Sequence, residues 1–140
     1  MVCGFDKQLI PKMYVIRNPG KQESWDSEGF GVIGVGAQTA RSRLYVLQAT
    51  RDNTITNALY NLYDAKELCA ATLPDIGHDS DAFVLTHGRP GHRISDERMN
   101  LIQQLYESHS KSPFDPKPPL PTECRSEIDA WGEKLMEVRK

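Results

Sequence analysis

Histidines, cysteines and a run of glycines are the residues from which this chain could build chemistry. His78 and Asp79 stand near Asp75, Asp81, His87 and His92, a mixture of nitrogen and oxygen donors suited to a divalent cation. None of the compact helical ligand spacings is present, His-Glu-x-x-His among them. The expectation is therefore a loop histidine beside turn-forming aspartates, with no metal and no other cofactor. Cys3, Cys69 and Cys124 are odd in number and far apart, which fits a reduced, cytoplasmic setting better than a disulfide framework. Cys69 reads as a small core residue and Cys124 as incidental. Tyr60 and Tyr63 read as core or interface, and no Ser/His/Asp or Cys/His arrangement stands out.

Gly29-Phe30-Gly31-Val32-Ile33-Gly34 fits G-x-G-x-x-G literally and precedes a helical pattern. A dinucleotide fold needs those glycines after the strand, where backbone N–H groups meet the pyrophosphate at a helix N-terminus. Here the first glycines lie inside the apolar run, and two helical patterns follow in place of a helix and a parallel strand. A tight strand-to-helix turn is the stronger reading; a nucleotide-binding protein is third among the functional possibilities.

The elements that must position these residues follow from periodicity. Met1–Phe5 and Lys12–Arg17 read as strands, with Asp6-Lys7-Gln8 as a hairpin tip and Asn18-Pro19-Gly20 as a closing turn. Lys21–Glu28 reads as a loop and Gly29–Val35 as a third, glycine-rich strand. Ala37, Ala40, Leu44 and Leu47 fall on one face of a helix ending near Thr50. Thr54 can cap a second helix with the apolar stripe Ile55, Ala58, Leu59, Leu62, Ala65 and Cys69, and with Asn57, Asn61, Asp64 and Glu67 opposite. Leu73–Gly77 stops it, Ala82–Thr86 reads as a strand, and His87–Gly91 as a turn. Ser95 can cap a third helix that begins with Asp96 and Glu97 and buries Leu101, Ile102, Leu105 and Tyr106.

Prolines crowd Ser112–Pro121, so residues 110–121 read as an extended linker. Residues 122–140 read as a last helix capped by Thr122, its stripe Ile128, Trp131, Leu135 and Val138. Of the 140 residues, 39% are hydrophobic and 26% charged, the balance of a folded domain rather than a disordered chain. A net charge of −2 lacks the basic excess of a nucleic-acid footprint. No apolar run has the roughly 18 residues of a membrane span, and no signal peptide is expected.

The order of segments carries a resemblance. Gly29–Ala40 resembles the strand-to-helix segment of proteasome-type N-terminal-nucleophile (Ntn) hydrolases, in which an apolar strand runs through Gly-Ser-Gly into the first of two antiparallel helices. Thr54–Cys69, with its Ser/Thr cap and Ala65-Lys66, is similar to the second helix, and Pro74–Thr86 to the turn into the last core strand. Gly4-Phe5-Asp6, Lys12–Arg17 and Gly20 look like the family's opening hairpin. The resemblance covers residues 2–108. It implies an α/β fold for residues 1–109: a mostly antiparallel sheet on two antiparallel helices, corresponding to the C-terminal half of the αββα sandwich.

For activity, the resemblance implies peptide or amide hydrolysis by an N-terminal Thr, Ser or Cys, tuned by a lysine. Both lie in the other half of the family fold, about 100 residues that this chain does not match. Removing Met1 would expose Val2 rather than Cys3. The serine of Gly-Ser-Gly is Val35 here, and Val35 offers no hydrogen bond. Of the family's Asp-x-x-Ser only Asp75 is kept, so Asp75 is the single residue carried over to the catalytic machinery, in a supporting role. The chain is thus expected to be silent alone, as a fragment or degenerate relative. Half a sandwich would leave a sheet face bare. That predicts a homo-oligomer or a partner bringing the other half, with the Trp131 helix as a candidate cover. The competing class is a non-enzymatic oligomerisation or interaction module.

Overall fold

The computed structural model describes residues 1–109. The expected linker and last helix, with Cys124 and Trp131, lie outside the described residues. Val2–Phe5 (β1), Pro11–Arg17 (β2) and Lys21–Ser24 (β3) form an antiparallel sheet in the order β1-β2-β3. At the first hairpin the Asp6 carboxylate accepts the N–H groups of Gln8 (2.8 Å) and Ile10 (2.9 Å). This is why Asp can turn the chain while the loop satisfies its own donors. The register pairs Val2 with Tyr14 and Cys3 with Met13, then Tyr14 with Ser24 and Ile16 with Gln22. Strand alternation therefore puts Met13 and Val15 on one face and Val2, Tyr14 and Ile16 on the other. Val15 is buried, whereas Ile16 is 61% exposed.

Two expectations fail in this region. Lys21–Ser24 is a strand, not a loop: it pairs with β2 as a sheet edge, where Lys and Glu are tolerated because one side meets water. Gly29–Val35 is not a strand. Gly29 takes φ +76° and Gly34 φ +104°, neither compatible with a regular ladder. The segment instead threads between the sheet and the helices. A Cβ on Gly31 would meet the Trp25 ring and the Met13 sulfur, and a Cβ on Gly29 would overlap the backbone of Arg51.

Ala37–Val46 (α1) and Ile55–Thr72 (α2) follow. α1 ends before the expected Thr50 because Gln48 adopts φ +53°. Gln48 N–H then bonds Tyr45 C=O and Ala49 N–H bonds Leu44 C=O, closing a Schellman motif without the usual glycine. Thr54 caps α2 as expected, its hydroxyl accepting Asn57 N–H at 3.2 Å. α2 stops at Leu73, held extended by the following Pro74. Gly36 abuts Cys69, Arg43 bonds Asp64 and Leu44 packs on Ala65, so the partners run backward along α2 and the helices are antiparallel.

Two-residue strands Phe83–Val84 (β4) and His92–Arg93 (β5) form a second antiparallel pair, much shorter than the expected Ala82–Thr86 strand. Asp96–His109 (α3) lies against α2. Its Ile102 and Tyr106 join Tyr60 and Tyr63 in one core, with Leu59, Met99 and Leu105 at the margin; Leu101 stays half exposed. A second core holds Phe30, Leu44 and Ala65. Among the described residues the fold is mixed α and β, with three helices and two small antiparallel sheets.

The α2 stripe is only half right. Ala65 and Cys69 are buried, but Ile55 and Leu62 are 47% and 46% exposed. Asp64, expected on the solvent face, is fully buried: Arg43 Nε and Nη2 donate to its two oxygens at 3.0 and 3.3 Å. A bidentate guanidinium–carboxylate pair satisfies both charges inside a protein and locks α1 to α2.

Candidate functional site

Where α2, α3 and the segment 78–81 converge, they enclose an open cleft of about 380 Å³. Tyr63 and Met99 form its apolar side; His78, Asp79, Ser80 and Asp81 line one wall; Arg93, Asp96, Asn100 and Gln103 line the other. The end of α2 tethers the first wall. Lys66 Nζ donates to the His78 carbonyl and to Glu67 (2.9 Å), and Glu67 also meets His78 Nδ1 at 3.0 Å. Burial alone would push the Glu67 carboxyl up; hydrogen bonds from Lys66 and His78, and their charges, outweigh it and hold it below its ordinary value. Tyr63 moves the other way. Burial, then the Glu67 charge beside it, pushes the phenol up to about 12.

At the opposite end Arg93 is clamped by Asp81 (2.7 Å) and Asp96 (2.8 Å), which raise its already high pKa. A guanidinium shared between two carboxylates is a strut rather than a free anion-binding group. His78 is different. Its Nδ1 meets Glu67 and its ring is largely exposed. Ser80 Oγ lies in the same wall but is buried and has no hydrogen-bond partner. The cleft therefore holds an imidazole paired with a carboxylate and, in the same wall, a buried hydroxyl.

Among the described residues, no group of three or more His, Cys, Asp or Glu side chains is placed to hold a metal ion. The histidine–aspartate run divides: His78, Asp79 and Asp81 line the cleft, while His87 stacks edge-on against Phe5 at 5.8 Å and His92 pairs in β5. Asp75 is exposed in the turn after α2 and does not line the cleft. Gly36 serves packing, since a Cβ there would press on Ile76 and Cys69, and Val35 beside it is 79% exposed. Burial pushes the Cys69 thiol up, away from the reactive thiolate. Cys3 is exposed in β1. No described helix is long and apolar enough to cross a membrane.

Sequence reasoning missed Glu67 as a hub and Arg43 altogether. The signal for Arg43 was present: it sits between Ala40 and Leu44 on the apolar stripe of α1, where a lone charge demands a buried partner. No family model, no curated protein and no solved structure matches the chain.

Proposed function

We propose that this chain is a catalytically silent half-unit of a proteasome-type Ntn-hydrolase-like assembly, and that its work by itself is association. The observation that carries the reading is the state of the β1–β2–β3 sheet. Its outward face carries Val2 and Ile16, both more than half exposed, with Tyr14 paired beside Val2. Its two edges differ. β3 bears Lys21 and Glu23, the charges that discourage strand addition, whereas β1 reads Val-Cys-Gly-Phe with none. An uncharged edge beside an apolar face is suited to receiving a further strand, from a second copy or from a polypeptide carrying the other half of the sandwich.

Light scattering coupled to gel filtration, run beside a fluorogenic peptide-hydrolysis assay, tests both parts. Dimers or larger species without turnover are expected, and Val2→Lys with Ile16→Lys should return them to monomers. A monomer at high micromolar concentration that binds no hydrophobic dye, or measurable turnover by the chain alone, would overturn the reading.

A further inference from the structure

Hydrogen-bond directions in the first hairpin decide what the free edge of β1 can receive. Met13 spends both of its backbone groups on the β3 side: its N–H donates to the Asp26 carboxylate at 2.8 Å and its C=O accepts Trp25 N–H at 3.1 Å. Cys3, paired with Met13, therefore sits at a non-hydrogen-bonded position of the β1–β2 ladder, and its own N–H and C=O point away from β2. Alternation turns Phe5 the same way, opposite Pro11, which has no N–H to give. The backbone groups of Val2 and Gly4 point inward, to Tyr14 and Lys12. The strand ends at the hairpin tip, where Asp6 N–H bonds Ile10 C=O. β1 thus carries outward donors and acceptors at alternate residues, with no charged side chain among Val2–Phe5. The space over Gly4 is open: apart from its chain neighbours, no described residue comes within 4 Å of where a Cβ would stand.

We infer that this edge receives β1 of a second copy, antiparallel about a two-fold axis, with Cys3 opposite Cys3 of the second copy. The inference rests on the association proposed above and names its partner. A two-fold interface must be self-complementary, and an antiparallel strand pair is. Each Cys3 gives its N–H to the other's C=O and accepts in return, with the Cα atoms about 5.5 Å apart. Phe5, the next outward residue, then meets Met1 of the second copy, so the outward groups of residues 1, 3 and 5 all find partners. Side chains agree with this register. Val2 falls opposite Gly4 of the second copy and fills the open space there. Met1, half exposed, comes beside Phe5 of the second copy, a thioether–aromatic contact. Sliding the strands to oppose Gly4 with Gly4 would leave that space empty and set the Asp6 carboxylate against Val2. The two sheets become one, in the order β3-β2-β1-β1-β2-β3. Its outward apolar face then runs from Ile16 of one copy to Ile16 of the other.

The test uses the full chain. In a mixed sample of labelled and unlabelled protein, a nuclear Overhauser contact between the α-protons of Val2 and Gly4 across copies is expected, because a non-hydrogen-bonded pair brings them together. Dimerisation measured by gel filtration with light scattering supplies the second readout. Cys3→Pro removes only an outward N–H that makes no bond within the chain, and proline is tolerated at such an edge position. It should weaken dimerisation about thirtyfold, for two hydrogen bonds lost per dimer, with the far-ultraviolet circular dichroism of the parent retained. Cys3→Ser keeps the backbone donor and should dimerise as the parent does. Dimers that lack the Val2–Gly4 contact and form equally well from Cys3→Pro would overturn this inference and leave association standing. A parent chain that stays monomeric at high micromolar concentration would overturn both.

Discussion

Removing one partner of the Arg43–Asp64 pair is the sharpest test of how the helices are held together. Both side chains are buried, Asp64 completely, and the two hydrogen bonds at 3.0 and 3.3 Å engage both carboxylate oxygens. In Asp64→Ala the guanidinium loses this partner in the α1–α2 interface and cannot shed its charge. Stranding a buried charge costs about 3–5 kcal/mol, against a total stability of about 5–15 kcal/mol for a domain of this size. Replacing both members with apolar residues of similar volume, Arg43→Met with Asp64→Leu, removes the stranded charge and should recover most of that loss. Urea denaturation followed by circular dichroism measures both variants and the parent. The expected order is parent and double variant close together, with Asp64→Ala lower by several kcal/mol. If Asp64→Ala lost less than about 1 kcal/mol, the pair would have to behave as an exposed ion pair, and its burial between α1 and α2 would be wrong.

Two further outcomes follow from the same geometry. Tyr63 is held neutral up to about 12, against an ordinary value of 10, so the unfolded chain ionises first as pH rises. Its contribution is fully present below pH 10 and falls by at most about 3 kcal/mol between pH 10 and 12; Tyr63→Phe should flatten that part of the stability–pH curve, and an unchanged slope would refute the upward shift at Tyr63. Gly29→Ala should destabilise by about 2–4 kcal/mol, because the residue holds φ +76° and the new Cβ would lie 2.7 Å from Arg51 Cα. Thermal melting that shows no loss would mean the 29–34 segment does not run against Arg51.

Turns and caps were legible because each has a local cause. Asp6 accepts its own hairpin N–H groups, Thr54 accepts Asn57 N–H, and Asp96 with Glu97 open α3; no distant residue is needed to predict them. Gly29–Val35 was not legible, since its alternating apolar residues satisfy a strand pattern while its glycines serve contacts with Trp25 and Arg51. Nothing near residue 29 in the sequence announces residue 51. β3 misled in the opposite direction: a polar tetrapeptide reads as a loop until its partner is known, although an edge strand needs no apolar side chain. The cleft shows the same limit. Glu67 and His78 are eleven residues apart with a helix end between them, so their 3.0 Å contact follows from where α2 stops, which periodicity does not fix.

The α2 stripe shows why period and burial are separate questions. A repeat of 3.6 residues fixes the azimuth of an apolar line, and Ile55, Leu62 and Cys69 do share one. Whether that line is covered depends on what crosses it, and the 29–36 segment reaches only its C-terminal end. Asp64 makes the converse point. Its azimuth is polar by sequence, yet it is the most buried residue of the helix, because Arg43 arrives from α1 with a matching charge. A charge is buried where a partner is built for it, and a leucine stays half exposed where no element crosses it. Ile55 and Leu62 stay about half exposed because the 29–36 segment ends its contact with α2 at Cys69.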